Sequence, residues 1–211
     1  MEARKDGEAT GTFRMQPSAL PDGQASLRLS SNLPHVDIQP AAFVARRGCQ
    51  WPGLHVETAA VSGQAPFNCR FHAPWHLLIA AERGERSDGE SLVEGLPKST
   101  LRRLTGRLTF VPAGHRFYGW ATPRVPARIT YFYIDPDGPL LDREALAGIA
   151  LKPRLFFRDS DVWRAAVRLK EACCGGFQAD GEALGIVLAH ELIRSSETPP
   201  RTAILRGGLS G

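Results

Sequence analysis

The side chains with most chemistry to offer in this sequence are its six histidines, its four cysteines and an aromatic-rich stretch between Trp75 and Tyr133. His72 and His76 are four residues apart. On a strand they share a face but lie roughly 13 Å from each other, too far to hold one ion. His115 follows the turn Pro112-Ala113-Gly114, and nothing at a metal-ligand spacing joins it. A bound metal needs three or four converging ligands, so no metal, cofactor or catalytic residue is expected. Gly84-Glu-Arg-Ser-Asp-Gly89 lacks the lysine and the following helix of a phosphate-binding loop, and the Gly-x-Ser-x-Gly nucleophile turn is absent. What remains suits a small-molecule pocket, mostly apolar with a few placed polar groups. Arg70, His76, His115, Tyr118 and Trp120 are the candidates for lining it. The bland alternatives are a strand-edge His76 satisfied by backbone, and aromatics that are simply core.

Cys49, Cys69, Cys173 and Cys174 form no Cys-x-x-Cys pair. Cys173 and Cys174, adjacent in a helical pattern, point to different faces. Neither a disulfide framework nor a zinc site is expected, and a reduced compartment is the simplest reading.

These residues must be positioned by a β-rich stretch. From about 41 to 135, short extended runs alternate with turn signals. Ala42–Ala45 is stopped by Arg46-Arg47-Gly48. Leu54, Val56 and Thr58 alternate with His55 and Glu57. His76–Ala81 ends at Arg83-Gly84, and Ser87-Asp88-Gly89-Glu90 reads as a turn. Arg107–Val111 stops at Pro112-Ala113-Gly114; Phe117–Trp120 and Arg128–Ile134 complete the series. Roughly seven to nine strands at this spacing predict a sandwich or barrel. Arg102, Arg103 and Arg107 read as a solvated strand face.

Asp135-Pro136-Asp137-Gly138-Pro139 ends the β region. Ser160 or Asp161 then caps a helix with Val162, Ala166, Leu169 and Cys173 at helical spacing, stopped by Gly175-Gly176. Asp180 caps a second helix over about 181–195. There Leu184, Leu188 and Leu192 form a stripe at i, i+4 and i+8, with Val187 and Ile193 beside it. That is more apolar surface than one intramolecular face requires. Strands first and helices last give an α+β chain with the helices packed outside the sheet.

Hydrophobic residues make up 43% and charged residues 23%, which excludes disordered and fibrous classes. A net charge of +4 permits contact with nucleic acid without demanding it. No run of eighteen apolar residues exists for a membrane span. Met1–Glu8 lacks the apolar stretch of a signal peptide, so a cytoplasmic location is expected. Residues 1–35, punctuated by Gly, Pro and Ser, read as a flexible arm.

Taken in order, several segments resemble the N-terminal half of AraC-type transcription regulators. They are His76-Leu77-Leu78, the Asp88-Gly89 hairpin position, Leu104-Thr-Gly106-Arg-Leu-Thr-Phe-Val-Pro112-Ala-Gly114, Trp120, the two helices, and Arg206-Gly207-Gly208-Leu209-Ser210. The Gly-x5-Pro-x-Gly element alone is shared with cupin barrels. Metal-binding cupins continue it with a His and then an Asn, where this chain has Phe117 and Ala121.

The resemblance covers roughly 40–211. It implies a cupin-like antiparallel β-barrel (jelly roll) followed by two helices packed outside the barrel. The implied division is a flexible arm at 1–35, an effector-binding barrel at 36–150, dimerisation helices at 151–196 and a linker at 197–211. It also implies a small-molecule effector in the barrel and a homodimer formed through Leu184, Val187, Leu188 and Leu192. DNA would be reached only through a C-terminal helix-turn-helix domain, whose place begins where the chain stops at Gly211. No enzymatic activity, cofactor or membrane contact is implied. Two alternatives stand beside it. One is a small cupin enzyme, a metal-dependent isomerase or dioxygenase; the other is a free-standing interaction protein that captures full-length relatives.

Overall fold

A computed structural model of the chain describes residues 33–141, 151–175 and 180–197. The arm up to residue 32, the linker beyond 197 and the Arg206–Ser210 string lie outside the described residues. Eight strands come first: β1 (Asp37–Gln39), β2 (Val44–Trp51), β3 (Leu54–Val61), β4 (Phe67–Phe71), β5 (His76–Val93), β6 (Arg107–Val111), β7 (Phe117–Ile134) and β8 (Arg154–Phe157). Two helices follow, α1 (Ser160–Gly175) and α2 (Gly181–Glu197). Every strand pairing is antiparallel. The sheet runs β1-β4-β7-β5-β6-β8, and β3, carrying β2, also pairs with β7.

The architecture turns on β5 and β7, each 18 residues long and paired along their lengths. Register shifts between Ala81 and Asp88 bend the pair, as bulges do. The first half of β7 therefore pairs with β4 and the second half with β3. The result is α+β, an antiparallel barrel of strands with two helices outside it. Three local expectations are corrected here. Ser87-Asp88-Gly89-Glu90 does not turn the chain but continues β5. Gly89 (φ +148°) is needed there because a Cβ would come within 2.5 Å of Trp120 O. Arg46-Arg47-Gly48 does not stop a strand but lies inside β2, and the short turn falls earlier, at Ala41–Phe43. A further strand, β8, precedes the helices and pairs with β6.

Period-two alternation sorts side chains onto two faces. Leu77, Ile79, Ala59, Val111, Tyr131 and Tyr133 point inward and meet Val36, Ile38, Phe71, Val93 and Phe117. Their neighbours Leu54, Val56, Leu78, Leu108, Phe110, Phe132 and Ile134 point outward, to be covered by Val162, Ala166, Leu169, Leu188 and Leu192 of the helices. The α1 cap is Asp159 rather than Ser160 or Asp161: its Oδ1 accepts from the N–H groups of Asp161 and Val162. α2 lies against the barrel at Gly185, where a Cβ would come 2.8 Å from Leu54 Cδ2.

The expectation of unpaired cysteines is also corrected. Cys49 of β2 and Cys173 of α1 form a disulfide, while Cys69 and Cys174 are free thiols. The partners are 124 residues apart in sequence, so only the packing of α1 on β2 brings them together. Lys170 adds an ion pair with Glu82 of β5 at 2.8 Å. Among the described residues no helix is long and apolar enough to cross a membrane.

Candidate functional site

Between the two halves of the barrel lies a cavity with ≈ 60 Å³ of room for the centres of water-sized atoms. Its walls are largely apolar, including Phe67, Ile79, Phe117, Trp120, Ile129 and Phe156. Arg86, Ser91, Arg107, Thr109, Tyr131 and Cys69 contribute the polar groups.

Arg86 arrives from the bulged part of β5, where the register shifts on either side of it and turns its side chain inward. It is 3% exposed. Its Nε donates to Leu101 O (2.8 Å) and its Nη2 to Ser99 O (3.0 Å). Its Nη1 donates to Ser91 Oγ and to Trp120 O. All these acceptors are neutral. Burial lowers the pKa of this guanidinium from its ordinary value without discharging it.

Arg107 opens β6 and also lines the cavity. Its Nη1 donates to Phe156 O at 3.2 Å, and its Nε is buried with no hydrogen-bond partner. Thr109, two residues on and on the same face, accepts from the Phe156 N–H at 3.2 Å. Between these two contacts Phe156 is held at φ +51°, a left-handed conformation unusual for an aromatic residue. The Arg86 guanidinium sits 5.8 Å from the centre of the Phe156 ring.

Tyr131 is 2% exposed and lines the cavity. Burial holds its pKa well above the ordinary phenol value, so it is a donor at neutral pH. Burial also pushes the Cys69 thiol up to about 12, so it carries no thiolate. Among the described residues, no histidine, aspartate or glutamate lines the cavity. It therefore holds hydrogen-bond donors without a base to activate a nucleophile.

The other end of the interior is closed by a charged cluster. Glu57 Oε2 accepts from Arg46 Nη1 (2.7 Å) and from the Tyr133 hydroxyl (3.1 Å). Tyr133 in turn accepts from the Val36 N–H, and Arg46 Nη2 donates to Val36 O. His55 stacks on Tyr133 with ring centres 5.2 Å apart.

Of the residues expected to line a pocket, Trp120 does. Arg70 and Tyr118 do not. On β4 and β7 it is their neighbours Cys69 and Gly119 that face the cavity, so Arg70 and Tyr118 lie outside, the guanidinium 5.8 Å from the phenol ring. His76 Nδ1 accepts the Ala113 N–H at 2.9 Å, and His115 Nδ1 lies 3.4 Å from Ala113 O. Both histidines thus belong to the Pro112–Gly114 turn, not to the cavity. Burial lowers the His76 pKa to about 4. Among the described residues, no three His, Cys, Asp or Glu side chains converge as a metal site would require. In α2, Leu188 and Leu192 are buried against the chain's own barrel, Leu184 packs at the edge of that cluster, and Val187 stands 48% exposed. The sequence does not single out Arg86, reads Arg107 as part of a solvated basic face, and offers Tyr131 only as one of several aromatics of the core or a pocket wall. Only Tyr131 carried a signal, its inward alternation on a strand rich in aromatics.

No family model matches the chain, and no curated protein matches it. Among solved structures it is similar to the DMSP lyase DddQ of Ruegeria pomeroyi DSS-3, at 19% identity and a TM-score of 0.33, over 43% of this chain and 46% of that one. It is also similar to an RmlC-like cupin of Shewanella frigidimarina, at 13% identity and a TM-score of 0.35, over 56% and 92%. A third is the Cnp3 cupin domain of Schizosaccharomyces pombe, at 12% and 0.36, over 53% and 72%. The chain spans less than half the length of the lyase. Likenesses this distant say nothing of what this chain binds.

Proposed function

We propose that this protein is a ligand-sensing barrel, the effector-binding and dimerisation part of an AraC-type regulator, and not an enzyme. The observation that carries the reading is the interior cavity. It is apolar, lined by fixed hydrogen-bond donors, and without a base or a convergent ligand set. Such a cavity is built to hold a molecule rather than to transform it. A small cupin enzyme would need a metal or an acid–base pair facing that space, and the nearest histidines, His76 and His115, are engaged at Ala113. The helices cover the other face of the same sheet, a position from which ligand-dependent packing reaches a partner subunit. Action on DNA would belong to a separate helix-turn-helix domain.

Two measurements test this. Thermal unfolding against a panel of small metabolites should yield a binder that adds about 2.7 kcal/mol at 100 times its dissociation constant. Trp120→Ala, which opens the cavity wall, should weaken that binder. Sedimentation should show a dimer that Val187→Asp dissociates; this position, unlike buried Leu188, tolerates charge without unfolding the subunit. A chain that binds nothing in the panel and sediments as a monomer, or one that turns a ligand over, overturns the proposal.

A further inference from the structure

We infer that the cavity selects a small organic monoanion, a carboxylate on an apolar body, held between Arg86 and Arg107 with Tyr131 as a third donor. This rests on the reading that the cavity binds a small molecule, and it adds the charge and shape of that molecule. Two guanidinium groups line the space and no acidic side chain does. Arg86 is almost wholly buried, yet its acceptors are three carbonyl oxygens and a hydroxyl. Burial of this cation is costly and is offset only from outside the lining, by the charges of Asp88 and Glu90; an anion in the cavity adds a counter-charge within it.

The clamp that Arg86 places on the Ser99–Leu101 segment accounts for Arg86 alone. It does not account for Arg107 Nε, which is buried and without a hydrogen-bond partner among the described residues. Thr109 Oγ1 already accepts from Phe156, so its own hydrogen is free to donate. The polar groups offered are thus donors. A sugar, which presents donors of its own, would find few acceptors, because the Ser99, Leu101, Trp120 and Phe156 carbonyls are already engaged. A carboxylate accepts at both oxygens, and arginine forks match it.

The rest of the wall is Phe67, Phe117, Ile129 and the Phe156 ring, which suits a hydrocarbon or aromatic body. A second negative charge would lie against that wall. The space corresponds to about four to six waters at about 10–15 Å³ each, which keeps the acid small. Phe156 adds a separate sign. Its left-handed backbone is pinned by Arg107 on one side and Thr109 on the other, and strain of this kind gathers at ligand sites.

The test is calorimetric titration of the whole chain at pH 7.5 with matched pairs of probes: benzoate against benzamide, and butyrate against butyramide. We expect an acid to bind at least about tenfold more tightly than its amide. Arg107→Gln should remove that preference, so that acid and amide bind the variant equally. Arg107→Lys should restore it only in part, because a point charge lacks the fork. Tyr131→Phe should weaken the acid alone, by a smaller factor. Equal binding of acid and amide overturns the anion assignment and leaves the small-molecule cavity standing. Failure of both acids up to about 10 mM overturns the assignment as well, and the metabolite panel then decides separately whether the cavity binds anything. An acid preference that survives Arg107→Gln overturns the role given to Arg107.

Discussion

Replacing Arg46 by methionine isolates the charged cluster that closes the far end of the barrel. Arg46 Nη1 lies 2.7 Å from Glu57 Oε2, and its Nη2 lies 2.7 Å from Val36 O. Glu57 is 1% exposed, and its other oxygen, Oε1, has no partner at all. Methionine keeps much of the arginine stem's packing but strands the carboxylate with a single phenol donor, Tyr133. Removing one member of a buried pair typically costs about 3–5 kcal/mol. The Arg46 side chain is 24% exposed, so water softens the loss, and the lower end, about 3 kcal/mol, is expected at pH 7. In a Glu57→Met background, which has no acceptor at this position, the same substitution loses only the bond to Val36 O, worth about 1 kcal/mol. The coupling between the two positions is then about 2 kcal/mol. Urea unfolding of the four proteins in this cycle measures it directly. A coupling below about 0.5 kcal/mol with unchanged m-values would show that the pair is a surface contact drawn inward, and the account of this end of the barrel would be wrong. Because both the N–H and the carbonyl of Val36 end on this cluster, Arg46→Met should also speed hydrogen exchange across β1.

Two further outcomes follow from named groups. His76 accepts the Ala113 N–H in its neutral form, and burial, opposed by Asp135, lowers its pKa to about 4. The unfolded chain therefore takes up a proton below about pH 6.5 that the folded chain refuses; stability is whole above that pH and falls by up to about 3 kcal/mol towards pH 4. His76→Asn, which keeps an acceptor but cannot titrate, should flatten this part of the pH profile of urea midpoints. Reducing the Cys49–Cys173 disulfide, whose partners are 124 residues apart, should lower stability by about 2–5 kcal/mol. Cys173→Ser should match that loss and be indifferent to reductant in equilibrium unfolding.

How far the fold was legible follows from which interactions are local. β6, the Pro112–Gly114 turn and both helices were readable because their signals are contiguous: a β-branched and aromatic run, a turn glycine, helical spacing between caps. Of β5 the sequence shows only His76–Ala81, ended at Arg83-Gly84, because Ser87-Asp88-Gly89-Glu90 carries the composition of a turn. Its glycine answers a different demand, the close approach of Trp120 O and Arg86 Cδ. β2 was cut at Arg46-Arg47-Gly48 for a similar reason, yet Arg46 is there to meet Glu57, a partner on the neighbouring strand. Arg107 was read as solvated because arginines beside it are exposed, and nothing in a basic run marks the one member that alternation turns inward. The cysteine pair was invisible, since no spacing rule covers partners joined only by the packing of a helix on a strand. Of the five pocket candidates the sequence offers, Trp120 is the one that lines the cavity among the described residues. The charge of the cavity was not legible, because both guanidinium groups sit on positions whose inward direction depends on bulges and register.

Phe156 lies where the cavity and the helix pair meet. Its ring lines the cavity, and its backbone hangs on Arg107 and Thr109. Two residues earlier, Arg154 donates to the carbonyl and hydroxyl of Ser195 in α2. Three residues later, Asp159 caps α1 and accepts from the same Ser195 hydroxyl. The short strand β8 thus holds the cavity wall, the start of α1 and the end of α2 within one hydrogen-bonded chain, and its pairing with β6 is irregular between Leu108 and Phe110. The other end of α1 is fixed differently, by the disulfide to β2 and the Lys170–Glu82 ion pair. A ligand shifts an arrangement only as far as it binds one form better than another. A group that draws the Arg107 guanidinium away from the Phe156 carbonyl would act on β8 first. With the far end of α1 anchored, the displacement would be felt where α1 begins and α2 ends, at Asp159 and Ser195.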